Sequence, residues 1–121
     1  QEVVDQRWSG GRILTLDGFP HRGQPICLSE FGGVTSAGLE DVAAGKWGYV
    51  QRTDPEDFAV HCCELIEVAR TPGMFSGFCY TQFADTFQEA NGLLTSDRKP
   101  KIPFERLAAA LRGKSLPRPP T

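Results

Sequence analysis

An α/β fold built from parallel strand–helix units is predicted by three observations. Ile26-Cys27-Leu28 is a short apolar run entered through Pro25 and left through Gly32-Gly33, the pattern of a strand buried on both faces. Residues 54–73 read as a capped amphipathic helix, and Met74 to Gln82 form a run of strand length rich in aromatic and small residues. Strand, helix, strand in that order is a βαβ unit, whose crossover is right-handed and whose strands are parallel.

Composition narrows the class. The 121 residues are 40% hydrophobic and 23% charged, with a formal net charge of -2, which describes a globular unit rather than a disordered or fibrous chain. Apart from Arg98-Lys99-Pro100-Lys101 the basic residues are scattered, and no run of about 18 apolar residues occurs, so neither a nucleic-acid partner nor a membrane is expected. No apolar segment follows a basic start, so no signal peptide is expected. Cys27, Cys62, Cys63 and Cys79 match no zinc spacing and each falls in an apolar run. Small buried thiols are therefore expected, with no metal site, no cofactor and a reducing, cytoplasmic compartment.

Taken in order, Arg12 to Leu16 reads as a short strand after the Ser9-Gly10-Gly11 turn, and Gly18, Pro20 and Gly23 mark a loop in which His21 is solvated. Glu30 follows Ile26-Cys27-Leu28 where that strand meets its loop. In a barrel of parallel strands the strand ends deliver the chemistry, so Glu30 is a catalytic candidate on position alone. Phe31 to Thr53 lacks periodicity and reads as a long glycine-containing loop, with Trp47 and Tyr49 either stacking on a sugar ring or pinning the loop to the core.

Asp54 is placed to cap the next helix, Pro55 to begin it, and Glu56 and Asp57 to favour its dipole. Phe58, Cys62, Leu65, Ile66 and Ala69 form its apolar stripe, with His61 beside it, and Thr71-Pro72-Gly73 ends it near Arg70. After the second strand, Gln82 to Lys101 reads as another long loop, whose Asp85, Glu89 and Asp97 are either a binding constellation or ordinary solvated charges. Pro103 opens a last helix with Phe104, Leu107, Ala108 and Leu111 on one face and Gly113 as its stop. Residues 1–112 form the folded portion and residues 113–121 a Pro-rich tail.

Two strand–helix units are a quarter of a (β/α)₈ barrel, which takes about 250 residues and eight such units. Two helices cannot cover both faces of a two-stranded parallel sheet, so the chain is expected to be one piece of a larger fold.

Four motifs add a resemblance. Pro25-Ile26-Cys27-Leu28-Ser29-Glu30-Phe31-Gly32-Gly33, Gly77-Phe78-Cys79-Tyr80-Thr81-Gln82-Phe83-Ala84-Asp85, Asn91-Gly92-Leu93 and Asp97-Arg98-Lys99-Pro100-Lys101 resemble the C-terminal end of the TIM barrel in family 2 of the glycoside hydrolases, the β-galactosidase and β-glucuronidase group. Order and spacing match barrel strands seven and eight with their helices, and the likeness runs from about Gly11 to Leu111. It implies a retaining β-glycosidase in which Glu30 is the nucleophile that forms a glycosyl-enzyme ester. A retaining pair stands about 5 to 5.5 Å apart. The family's acid belongs to an Asn-Glu pair at the end of strand four, and no Asn-Glu dipeptide occurs here. The isolated chain is therefore expected to be inactive, lacking an acid worth about 10²- to 10⁴-fold.

The resemblance also puts Tyr80 where the family often has a tryptophan as the sugar's floor. Tyr80, Gln82 and Trp47 are the substrate-binding candidates. The Asn-x-Lys motif that holds glucuronic acid is missing, since Phe87 to Ser96 contains no lysine, so neutral sugars such as galactose are implied. Asp97 to Lys101 corresponds to a structural segment leading into the last helix. The expected partners are a carbohydrate substrate and either the rest of the barrel or further copies of this chain. The alternative is a non-catalytic carbohydrate-binding or scaffold fragment using Trp47, Tyr49 and Tyr80.

Overall fold

Extended segments and two helices alternate along the computed structural model, which describes residues 11, 15–36, 44–46, 48, 50–52 and 54–114. The elements are β1 (Cys27–Gly32), β2 (Val34–Ser36), β3 (Val50–Arg52), α1 (Pro55–Arg70), β4 (Gly77–Thr81) and α2 (Phe104–Arg112). As predicted, β1 and β4 are parallel neighbours and α1 is the crossover between them. Among the described residues the strands make two two-stranded sheets and do not close a barrel.

The helices begin and end for local reasons. Asp54 accepts hydrogen bonds from the amides of Glu56 and Asp57, both at 2.9 Å, with Pro55 in the first turn. Gly113 closes α2 in the left-handed conformation at φ 71. Arg106 of α2 forms a 2.7 Å ion pair with Glu56 of α1.

The core lies where α1 meets α2, β2 and the loop ahead of α2. Val34, Phe58, Ala59, Cys62 and Ile102 are its buried centre, and Leu65, Tyr80, Leu93 and Leu107 pack around it. The α1 stripe is thus used as read. The α2 stripe is only partly used, since Phe104 and Leu111 are exposed.

Four sequence expectations need correction, the last of them at His21. Residues 34–36 and 50–52, read as loop, are short parallel strands, too brief to display a period-two pattern. Strand β1 is not buried on both faces: Cys27, Ser29 and Glu30 are exposed, because among the described residues α1 backs one side of the sheet and leaves theirs open. For the same reason, Cys62 is buried and Cys63 half-buried, but Cys27 and Cys79 are exposed. All four thiols are free.

The proposed Arg12–Leu16 strand lies outside the described residues except for Thr15 and Leu16, and Leu16 makes an isolated antiparallel bridge to Phe19. His21 is half-buried in that loop rather than fully solvated. No helix among the described residues is long and apolar enough to cross a membrane.

Candidate functional site around Glu30

Glu30 owes its outlook to an irregularity in β1. Cys27 and Leu28 pair with Gly77 and Phe78, but Phe31 and Gly32 pair with Tyr80 and Thr81. Ser29 and Glu30 therefore face Cys79 alone, which is a one-residue bulge. Strict alternation from Leu28 would send Glu30 into the helix-side layer and Phe31 out of it. The bulge reverses that parity. Phe31 joins Phe78 and Tyr80 edge to face, at ring-centroid distances of 5.6 and 5.3 Å, and Glu30 is exposed.

Beyond Glu30 the chain leaves β4 through Gly32 and Gly33, at φ 122 and 77. At Gly32 a Cβ would stand 2.6 Å from the Thr81 carbonyl oxygen and 2.9 Å from the Tyr80 ring, so only glycine allows this approach. The result is a shallow groove of ≈ 200 Å³ lined by Glu30, Phe31, Gly32, Gly33, Thr81 and Asn91. Among the described residues its lining holds one carboxylate and no cation.

Tyr80 does not line this groove. Its ring lies on the helix side, and its hydroxyl is 3.2 Å from the Cys62 thiol. Burial raises both groups, the thiol to about 11 despite the phenol's hydrogen bond, so both keep their protons near neutrality. In this fold Tyr80 supports Gly32 from beneath.

Gln82 approaches the groove indirectly. Following a cis Thr81–Gln82 peptide, its side-chain amide donates to Asn91 Oδ1 at 2.7 Å and to Glu89 Oε2 at 3.3 Å. Asn91 is 2% exposed and carries this contact to the groove wall. Trp47 and Tyr49 lie outside the described residues.

The three acidic residues of the second loop are not one constellation. Asp85 pairs with Lys101 at 2.7 Å and Glu89 meets Gln82. Asp97 belongs to an exposed turn, accepting from Thr95 and pairing with Lys99, contacts that hold its carboxyl down at about 2. The segment 97–101 is structural, with Pro100 bridging back to Leu94. Asp85 and Glu89 do share a second hollow of ≈ 290 Å³ with Thr86, Phe87 and Ser96. No group of three or more potential metal ligands occurs among the described residues.

Sequence reading singled out Glu30 but gave neither the bulge beneath it nor the place of Asn91 in the groove wall. Leu28 and Phe31, three residues apart yet both apolar within one strand, were the available signal for the bulge. No family model matches this chain, and no curated protein matches it.

Proposed function

We propose that this chain is the C-terminal part of the catalytic barrel of a retaining β-glycosidase resembling family 2 of the glycoside hydrolases, with Glu30 as the nucleophile. One observation carries the reading: Glu30 stands on a bulge near the C-terminal end of a parallel strand, exposed beside a groove, on the sheet side without a helical layer among the described residues. In open and closed parallel sheets alike, that strand end is where ligands bind. β1 and β4 then correspond to neighbouring barrel strands, and their bare side faces the lumen that the remaining strands enclose.

The proposed reaction follows from the carboxylate. Glu30 attacks the anomeric carbon as the glycosidic bond breaks, and an acid from outside these residues protonates the departing oxygen. Water, deprotonated by that second group, then cleaves the ester and restores Glu30. The rigid strand supports such a nucleophile better than a loop would. A groove without a cation among the described residues favours a neutral sugar such as galactose over a uronic acid. Four free thiols, two of them exposed, favour a reducing compartment such as the cytoplasm.

A 2-fluoro-galactoside applied to the full-length parent enzyme tests the assignment. The expected result is a glycosyl ester on Glu30, lost in Glu30→Gln. An ester on any other carboxylate overturns it. Galactoside binding without turnover or ester would instead favour a carbohydrate-binding module.

A further inference from the structure

Asn91 is the most deeply buried side chain of the groove wall, and its two chain neighbours are held by a single ion pair. Lys101 Nζ lies 2.7 Å from Asp85 Oδ1 and donates to the Ala90 carbonyl at 3.0 Å. The Gly92 amide donates to the same Asp85 oxygen at 2.8 Å. The pair is well shielded, its side chains 8% and 16% exposed. Below it, the ammonium sits 5.5 Å from the centroid of the fully buried Phe58 ring of α1. Gly92 is pressed so closely on the Ala84–Asp85 backbone that a Cβ has no space.

A buried ion pair adds little net stability over an apolar substitute, because desolvation offsets the attraction. Its effect here is geometric. One carboxylate and one ammonium grip the carbonyl before Asn91 and the amide after it, and anchor both to the helix core. We propose that Asp85 and Lys101 are positioning residues that set Asn91 in the wall of the Glu30 groove. Their role in sugar binding rests on the glycosidase reading; the clamp on the loop does not.

Hydrogen exchange on the 121-residue chain tests the clamp. In Asp85→Asn/Lys101→Met, which leaves no unpaired buried charge, residues 84–94 should exchange about tenfold faster or more while residues 55–70 keep their protection. Lys101→Arg, which retains the pair, should keep most of the loop's protection. Equal acceleration in both segments, or none in the loop, overturns the clamp, and if the double variant does not fold the single Lys101→Met variant, which removes the contacts to Asp85 and Ala90, is read by the same outcomes.

In the full-length parent, the double variant should weaken the 2-fluoro-galactoside inhibition constant about tenfold, with the inactivation rate of the bound complex within about threefold. An unchanged inhibition constant in a variant whose loop has lost protection overturns the positioning role. Failure of the wild-type parent to label at Glu30 refutes the site reading alone, and the exchange result still decides the clamp.

Discussion

On the side of the β1–β4 pair that meets α1, Phe31, Phe78 and Tyr80 stack edge to face and close on Cys62. On the other side Cys27, Ser29, Glu30 and Cys79 are small or polar, and exposed. The first side is backed by α1 and joins the core through Tyr80 and Cys62. The second is uncovered among the described residues and carries Glu30, the proposed nucleophile. Stability and the proposed chemistry therefore rest on opposite faces of one pair of strands, and substitutions on the two faces should behave differently.

The largest effect is expected deep on the helix side. Phe58→Ala removes a fully buried ring and the platform under Lys101, and should lower unfolding free energy by about 3–5 kcal/mol in urea titration. Gly32→Ala, on the boundary between the faces, should cost about 1–3 kcal/mol, because φ 122 strains any L residue and the Cβ meets Thr81 and Tyr80. A variant as stable as wild type would show that the approach there is slack.

A pH series probes the Cys62–Tyr80 contact. The thiol rises from its ordinary 9.0 to about 11 on folding, and the phenol rises from 10.0. The unfolded chain therefore releases these protons first. The contribution is complete below about pH 9 and lost as the pH climbs through about 11. Urea midpoints should fall across that window, and fall less in Cys62→Ala.

The smallest effects belong to the open face. Cys27→Ser and Cys79→Ser should change stability by no more than about 0.5 kcal/mol. In the native 121-residue chain, both thiols should react with a maleimide well before Cys62 does. In the longer barrel protein proposed above, the same two positions should be protected by the further strands enclosing that face, and labelling there as fast as in the isolated chain would break the comparison.

Much of the frame was legible because it is local. Asp54-Pro55 announced α1, Gly113 ended α2, and the strand–helix–strand order implied parallel pairing. The misses required knowledge of neighbours. Nothing local in Val34–Ser36 and Val50–Arg52 reveals that they pair, and an apolar run around Cys27 looks the same whether one face or two are covered. Tyr80 was expected, from its place in a motif, to floor the sugar, and the parity of β4 and the hydrogen bond to Cys62 turn its ring toward α1. Asp85 and Lys101 are sixteen positions apart, with no periodicity linking them, so only the folded loop brings them together.

Ser29 is, in this light, a spacer. Without it, the remaining Leu-Glu-Phe would alternate regularly and still send the acid outward, opposite Cys79, but from a straight strand rather than from one that the added residue bends. What an unremarkable serine contributes is aim, and at this position the number of residues would matter more than the chemistry of the one that is added.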